Sequence, residues 1–457
     1  MGLMAADDAT NPTAALAGFL TELGASVPGR LTDIAQNCVA DTLGCMIFGA
    51  DLPWARTAAG YALQTGGAGS SSIIGGGRTT AAMAAFANGA AAHAFELDDV
   101  HEESISHPGA VVVPAALALA EELGAGGADA LDAVVVGYEA MGRAGIAVGP
   151  GVHLLRGFHP TSMCGVFGSA AAAARLLELD ADRLRHALGI AATLTSGTME
   201  FASSGGQTKR LHAGRAAEGG VMAARLAAGG FEGPADGLAG TYGFCRVFSD
   251  EPQVELLTDD LGSRWMLDEI TVKPWAACSD IHPLIQATLD LRATYGLRPD
   301  MIERIEATAP TKAAVHNSGD GTASVLAAQY SGPWNIAAAL VADPADPATY
   351  SAEWIADAEL VELQSKVAGI AADARWDATY AHTMGGSVRI TLRDGRVLER
   401  SVCGQKGSMH EPLSADELEA KFVTLAGPHA EVLWDWVRAL QSAPRVALPL
   451  MAGEASP

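Results

Sequence analysis

The sequence predicts a mainly α-helical protein, with a large helical domain formed by both chain ends and a smaller α+β domain. Three observations lead to this fold class. Apolar residues recur every three or four positions between residues 12 and 261, alternating segments follow residue 268, and helical periodicity returns after residue 404. We therefore expect the helical domain to contain residues 1–267 and 404–457, and the α+β domain to contain residues 268–403.

Glycine, proline and aspartate divide the first helical region into separate helices, because these residues favour turns and helix ends. Strand-like alternation is nearly absent from this region, which favours a domain built of helices. The segments expected to be helical are 12–24, 31–48, 54–64, 79–95, 110–123, 130–148, 159–177, 181–192 and 213–228.

The region after residue 268 combines strands with helices. Residues 269–272 and 302–308 alternate apolar and polar side chains, as half-buried strands do. Asp394 and Gly395 favour a two-residue hairpin turn between strands at 387–393 and 396–402. Helices are expected at 282–295, 335–341 and 359–367.

Helical periodicity returns near the C-terminus. Ser414 and Glu417 have the spacing of a capping box, in which each side chain accepts a hydrogen bond from the other residue's backbone N–H. Helices are expected at 418–425 and 430–440, and we expect both to pack against the first helical region. The helical domain would then be discontinuous in sequence.

Composition and charge exclude several classes of partner. Hydrophobic residues form 49% of the chain and charged residues 18%, which favours a large buried interior over disorder. The formal net charge of −24 argues against nucleic acids and anionic membranes as partners, because both attract basic surfaces. The six cysteines lack metal-ligand spacing, and no signal peptide or membrane-spanning run is recognised, so we expect a cytoplasmic protein with reduced thiols.

The segment of residues 92–109 carries histidines and acids between two apolar stretches. Burying charge without partners costs free energy, so some of these groups are expected to be used. We interpret His107 as an acid/base group, with Asp98 or Asp99 orienting it or contacting substrate. Alternatively, both aspartates cap helices and His101 is a solvated loop residue, although His101 is kept as a candidate substrate ligand. A metal site formed by these groups would match no metalloenzyme spacing, and none is predicted.

Two further polar segments precede apolar helices. His159 stands at a helix start, where backbone N–H groups favour an anion. Lys209, Arg210 and His212 lie in a glycine-punctuated loop, and Lys209 is one of only six lysines in the chain. Such a loop is typical of a carboxylate-binding site, which makes all three candidate ligands; the alternative is a solvated loop with surface cations.

Lys273 and His282 lie near the predicted domain junction. Clefts between domains are frequent ligand sites, so Lys273 is a candidate substrate ligand, and His282 is either another ligand or a helix-start residue. Cys164 and Cys278 are interpreted as structural thiols. The glycine-rich stretches between residues 66 and 77 match no phosphate-binding loop, and no nucleotide is expected.

In their order and spacing, these segments resemble the MmgE/PrpD family. That family includes 2-methylcitrate dehydratase, cis-aconitate decarboxylase and iminodisuccinate epimerase. The resemblance runs from residue 35 to about residue 422. The motifs that carry it are SIIG at 72–75, NGAAAHA at 88–94, Asp98-Asp99 with His107-Pro108, Phe158-His159, TKRLHAG at 208–214 and KPW at 273–275.

The resemblance implies a large helical domain with a small α+β lid, a homodimer, no cofactor and an active site between the domains. It also implies a small di- or tricarboxylate substrate. The positions that match the family's site residues are Asp98 or Asp99, His107, His159, Lys209, Lys273 and His282.

The sequence departs from decarboxylase-like members of the family in four places. The loop from Asp99 to His107 is one residue longer, and Val100 stands where threonine is common. Trp334 replaces a tyrosine that reaches the substrate in some members, and Cys278 replaces a histidine. These differences argue against decarboxylation specifically and leave the family resemblance intact.

Three functional hypotheses follow. The first is a cofactor-independent lyase or isomerase in which His107 or His159 removes a proton next to a carboxylate, while Lys209 and Lys273 bind carboxylates and stabilise the developing negative charge. Dehydration, decarboxylation and epimerisation share this chemistry of acid/base histidines and charge-stabilising lysines. The second is a catalytically inactive carboxylate-binding homologue, and the third is a metal-dependent hydrolase.

Overall fold

A computed structural model describes residues 11–154, 156–204 and 206–449. Over these residues the protein is mostly α-helical, which confirms the predicted class. Among the described residues, none of the helices is both long and apolar enough to cross a membrane.

The contacts divide the chain into two compact units. The first contains the residues up to Ile270 together with those from Leu418 onward, and the second contains Thr271–Glu417. The second unit extends further along the chain than the sequence predicted. The reason is that the segment after the last strand remains bonded to it, for example through the Lys406 N–H, which donates to Gln286 Oε1 at 2.7 Å.

The first part of the first unit is built almost entirely of helices. They are α1 (Pro12–Ala25), α2 (Gly29–Ala50), α3 (Pro53–Thr65), α4 (Ala81–Ala92), α5 (Gly109–Leu123), α6 (Gly127–Val148), α7 (Gly151–Leu154), α8 (Pro160–Leu176), α9 (Ala181–Ala192), α10 (Glu200–Ser204), α11 (Lys209–Ala228) and α12 (Phe244–Phe248). Three two-residue strands lie between them: β1 (Ser71–Ser72), β2 (Arg78–Thr79) and β3 (Val100–His101). All segments predicted to be helical here are helical, with ends that differ by a few residues.

Small residues allow these helices to approach one another closely. A Cβ atom on Gly137 of α6 would lie 2.9 Å from the Gly168 carbonyl oxygen of α8, and one on Gly214 of α11 would lie 2.3 Å from the Phe86 carbonyl oxygen of α4. Side chains cannot be accommodated at such distances, so glycine is required at both crossings. The close packing explains why alanine and glycine are abundant in this region.

The second unit contains a four-stranded sheet and short helices. The strands are β5 (Ile302–Ala309), β6 (Val367–Ala372), β7 (Gly385–Leu392) and β8 (Val397–Cys403), while β4 (Ile270–Thr271) lies at the unit boundary. The helices are α13 (His282–Tyr295), α14 (Thr311–His316), α15 (Val325–Tyr330), α16 (Gly332–Val341), α17 (Ala352–Ile355), α18 (Ala358–Ser365) and α19 (Ala374–Asp377). The strand order is β6-β5-β7-β8, with β6 parallel to β5 and the other neighbours antiparallel.

Two predictions for this unit were wrong in detail. The helix expected at 359–367 ends at Ser365, and Val367 begins β6, whose exposed and buried residues do not alternate regularly enough to indicate a strand. The β7–β8 hairpin has a three-residue turn, because the Leu392 N–H donates to the Arg396 carbonyl at 2.8 Å and closes the loop one residue earlier than expected. Gly395 lies in the turn with a φ of 87°, as its prediction required.

The chain returns to the first unit through α20 (Ala415–Ala426), followed by α21 (Ala430–Ala439). The predicted capping box is present, since the Glu417 carboxylate accepts the Ser414 N–H at 2.8 Å and the Glu417 N–H donates to Ser414 Oγ at 3.3 Å. Lys421 of α20 is mostly shielded from solvent and donates to Asp41 of α2 and, at 2.8 Å, to the Leu97 carbonyl. Burial opposes the charge on Lys421, but Asp41 and the neighbouring acidic groups together raise the pKa of the ammonium.

Glu121 of α5 binds the C-terminal end of the described chain within the first unit. It is buried, and its carboxylate accepts the Ser72 N–H at 2.7 Å and the Leu448 N–H at 2.9 Å. These two donors are distant in sequence, so a single carboxylate joins an early strand to the C-terminal segment.

Replacing Glu121 with alanine should destabilise the protein by roughly 2–4 kcal/mol, because buried N–H groups would lose their acceptor. The measurement is the midpoint of urea unfolding. Glu419→Ala, at an exposed position of α20, serves as the control and should change the free energy of unfolding by less than about 0.5 kcal/mol. Equal small effects of both substitutions would contradict this role for Glu121.

Candidate active site

The segment between α4 and α5 is folded into the interior of the first unit. His93, Asp98, Asp99 and His107 are all buried there. Two of the four non-glycine residues with positive φ in the described chain belong to this stretch, including Glu96 at 59°. Such backbone is strained for residues other than glycine and often occurs at functional sites.

Asp98 lies between two imidazole rings. Its Oδ2 atom is 2.6 Å from Nδ1 of His93 and 3.4 Å from Nδ1 of His107. A carboxylate accepts hydrogen bonds, so Nδ1 of His93 is the donor. His93 Nε2 is buried and has no hydrogen-bond partner among the described residues. The arrangement of Asp98 and His93 is that of an oriented acid/base pair.

His107 is fixed by a backbone carbonyl. Its Nδ1 lies 2.6 Å from the Asp99 carbonyl oxygen, which can only accept, so this nitrogen carries a proton. The backbone N–H of His107 donates to Thr161 Oγ1 of α8 at 3.2 Å. The ring is therefore oriented by the Asp99 carbonyl, and the His107 backbone is tied to α8.

The side chain of Asp99 has a structural role. Its carboxylate accepts the Gly109 N–H at 2.8 Å, at the start of α5, and the Tyr138 hydroxyl at 2.7 Å. Burial, reinforced by the charge of Asp41, raises the pKa of Asp99 to about 7 despite these hydrogen bonds. The structure thus supports helix capping for Asp99 and orientation of the histidines for Asp98.

His159 and His212 form a second pair of rings. Their Nδ1 atoms are 3.0 Å apart, and His159 stacks on His93 with 5.5 Å between ring centroids. Burial and the nearby charges of His93 and Lys209 hold the pKa of His159 well below its usual value. Burial and His93 lower the pKa of His212 to about 4. Both rings are therefore neutral at pH 7.

Lys209 and Arg210 are both buried at the start of α11, although a solvated loop was one interpretation of this segment. Lys209 forms an ion pair with Glu96, in which both side chains are nearly inaccessible to solvent. Arg210 lies 4.4 Å from the ring centre of Trp54 and donates to the Ala94 carbonyl at 3.3 Å. These contacts give Arg210 a structural function, while Lys209 lies close enough to His159 and His212 to influence their pKa values.

His101 is buried, so its interpretation as a solvated loop residue was wrong. Its Nδ1 lies 2.9 Å from Ser104 Oγ and its Nε2 lies 3.3 Å from Glu269. Burial would raise the pKa of Glu269, but its hydrogen bonds with Arg264 and His101 lower it to about 2. His101 therefore belongs to a structural network of charges.

Lys273 and His282 lie in the second unit, as does Cys278. Lys273 and His282 are buried, and the His282 ring packs against Trp275 with 5.2 Å between centroids. Cys278 Sγ is 3.7 Å from Asp280, which pairs with the Lys312 ammonium at 3.0 Å.

Two other residues from the sequence analysis are fully buried. Trp334 packs against Tyr350 in the second unit, with ring centroids 5.1 Å apart. Cys164 lies in the first unit, where burial raises the pKa of its thiol far above neutrality and disfavours a thiolate nucleophile.

His93, Asp98 and His107 have ligand atoms within 4.8 Å of one another, which is close enough for a metal ion. However, Nδ1 of His107 donates to a carbonyl and Nδ1 of His93 donates to Asp98. While these hydrogen bonds are present, neither nitrogen has a lone pair for a metal. The observed contacts suit proton transfer.

The structure adds functional candidates that sequence reasoning missed. His93 ends an apolar helix and was not distinguished from a core histidine, although it lies in the NGAAAHA motif. Glu96 was one of several acids in its segment, and only its positive φ and its pairing with Lys209 distinguish it. In the sequence, nothing distinguished Lys421 from a lysine on the surface of a helix.

Comparisons with known proteins agree with the resemblance seen in the sequence. The profile of the MmgE/PrpD N-terminal domain matches residues 14–257, and that of the MmgE/PrpD C-terminal domain matches residues 275–433. A cis-aconitate decarboxylase of Aspergillus terreus is 30% identical over 427 residues, covering 88% of this chain and 86% of that protein. The cis-aconitate decarboxylase of Homo sapiens is also 30% identical, over 447 residues, with 92% and 89% covered.

Replacing Asp99 with asparagine should remove a pH dependence of stability. The folded carboxyl has a pKa of about 7, whereas an unfolded one titrates near about 3.9. Between these values the folded state holds more protons, so the free energy of unfolding falls as pH rises through this window. From about pH 5 to pH 8 the wild type should lose ~2–3 kcal/mol more than Asp99→Asn in urea unfolding.

The exposed Asp33 provides a matched control for this measurement. Asp33→Asn should retain the wild-type dependence on pH. If Asp99→Asn retains it as well, the Asp99 carboxyl is ionised in the folded protein throughout this range, and the argument from burial is wrong.

Proposed function

Because the chain belongs to the MmgE/PrpD family, we propose that it is a cofactor-independent lyase or isomerase that moves a proton at a carbon next to a carboxylate. The substrate is a small di- or tricarboxylate. The observation that carries the proposal is the buried group of histidines oriented by Asp98, beside the ammonium of Lys209. Imidazoles suit proton transfer near neutral pH, and a buried cation stabilises enolate-like charge.

In the proposed reaction, the Nε2 atom of a histidine takes the proton from the substrate carbon. The electron pair of the C–H bond stays with the substrate as an enolate. Loss of a β-hydroxyl group then gives dehydration, and return of a proton to the opposite face gives epimerisation. Decarboxylation uses the same groups differently, since the C–C electron pair is captured by a proton as carbon dioxide leaves. His107 and His159 remain the candidates for the acid/base residue, and His93 joins them.

The relatives named above make cis-aconitate the first substrate to test. The departures at Val100, Trp334 and Cys278 justify a wider panel that includes citrates, other aconitates, malate-type acids and aspartate-derived diacids. Proton NMR in D₂O detects either net conversion or deuterium entering next to a carboxylate. We expect one of these signals with at least one acid.

The NMR result, combined with the melting temperature and the effect of a chelator, separates the alternatives. An acid that raises the melting temperature without exchange or conversion would favour a binding protein. Turnover that is lost with a chelator and restored by a metal ion would favour metal-dependent chemistry. Either result would overturn the proposal.

His107→Asn should lower kcat/KM by roughly a hundredfold or more, because the variant retains a polar amide but cannot act as an acid or base. The measurement is the initial rate with the acid identified by NMR. His429→Asn, at an exposed position of the first unit, is the control and should retain wild-type activity. A His107→Asn variant within a few-fold of wild type would exclude His107 from proton transfer.

Lys209→Met should also lower kcat/KM by roughly a hundredfold or more, because the cation that stabilises the developing charge is lost. That substitution leaves Glu96 buried without its ammonium. The double variant Lys209→Met/Glu96→Gln removes both charges and controls for the unpaired carboxylate. Recovery of activity in the double variant would show that Lys209 acts only by neutralising Glu96.

A further inference from the structure

The His159–His212 pair leads from the interior of the first unit toward its surface. His159 is only 4% exposed and stacks on His93, whereas His212 is partly exposed. We propose that His212 and His159 form a proton relay that connects the buried histidines with solvent. The proposal rests on the proposed function and gives His212 a role in positioning and proton passage, in place of the carboxylate binding expected from the sequence.

The hydrogen bond between the rings links their tautomers. A neutral imidazole has one N–H group and one lone pair. With Nδ1 atoms 3.0 Å apart, one ring must donate and the other must accept. If His159 donates from Nδ1, its Nε2 has the lone pair and Nε2 of His212 carries a proton. The reverse arrangement exchanges these roles, so the two Nε2 atoms are always in opposite states.

This coupling of the tautomers allows a proton to pass through the His159–His212 pair without leaving a charged ring in the protein interior. Nε2 of His159 takes a proton from the substrate carbon, and the C–H electron pair remains on the substrate. The Nδ1 proton of His159 then moves to Nδ1 of His212, and the Nε2 proton of His212 leaves to water. Both rings are neutral before and after, with their tautomers exchanged. The reverse sequence delivers a proton from solvent to the substrate.

The surroundings of the pair hold this geometry. The backbone N–H of His159 donates to the Gly197 carbonyl at 3.0 Å. Phe201 packs edge-on against both imidazole rings, with 5.7 Å between centroids. Gly197 has a φ of 109°, and a Cβ atom there would lie 2.6 Å from Ser162 Cβ and 3.4 Å from His212 Cε1. The pair is thus braced by an aromatic side chain and by a glycine that leaves it room.

Neutral rings are favoured by the same environment. The low pKa values of His159 and His212, caused first by burial, mean that an imidazolium is unfavourable in either position. A relay that never retains the charge avoids this cost. A neutral His212 has no positive charge with which to pair a carboxylate.

The first test does not depend on activity. In full-length protein labelled with ¹⁵N-histidine, long-range ¹H–¹⁵N spectra report the tautomer and charge of each ring, and His212→Gln and His159→Gln assign the signals. We expect both rings to be neutral at pH 7, with a proton shared between the Nδ1 atoms. Protonation of either ring, or the absence of a hydrogen-bonded Nδ1 proton, would overturn the relay.

The second test compares variants in the D₂O experiment. His212→Gln can hydrogen-bond to His159 but cannot pass a proton, and His212→Ala can do neither. We expect both to slow deuterium exchange by roughly 10- to 100-fold, with imidazole in the buffer restoring the rate of His212→Ala in a concentration-dependent way. His429→Gln is the control and should match the wild type with or without imidazole.

The outcomes separate the relay from the proposed function. Wild-type exchange that persists in His212→Gln but fails in His212→Ala would show a purely structural role and overturn the relay alone. Full activity in both variants would overturn it as well. A wild type that neither exchanges nor converts any acid would overturn the proposed function and the relay together.

Discussion

The hydrogen bond from His93 to the Asp98 carboxylate is the contact on which the arrangement of the histidines depends. Both groups are shielded from water, so solvent cannot replace either hydrogen-bond partner. Breaking this hydrogen bond would leave a charged group in the low-dielectric interior without that partner. The same carboxylate oxygen lies near His107, and the His93 ring supports His159. One fixed carboxylate therefore sets the positions of rings that come from separate parts of the chain.

Much of the fold and part of the site could be predicted from local patterns. The long helices have strong periodicity, and His107, His159 and Lys209 occur in polar segments that stand out between apolar ones. The pairing of Lys209 with Glu96 could not be predicted, because it depends on contacts between distant residues. Strand β6 was missed for a similar reason, since an edge strand is defined by its neighbour more than by its own side chains.

A single physical condition explains the unusual acid/base properties of the buried segment. Exclusion of water favours neutral forms, so it raises the pKa of Asp99 and lowers that of His159. The same condition thus moves the pKa of an acid upward and that of a base downward, each toward its neutral form. Lys209 is paired with the Glu96 carboxylate in the same surroundings.

The return of the chain through α20 has a consequence for biosynthesis. Asp41 emerges early from the ribosome, but its partner Lys421 is made only after the whole second unit. Until then, neither Asp41 nor the Leu97 carbonyl can receive its hydrogen bond from the Lys421 ammonium. The second unit is continuous in sequence and has all its residues available sooner. The Lys421 contacts that join α20 to α2 and to the segment before Asp98 can therefore form only after the second unit has been synthesised.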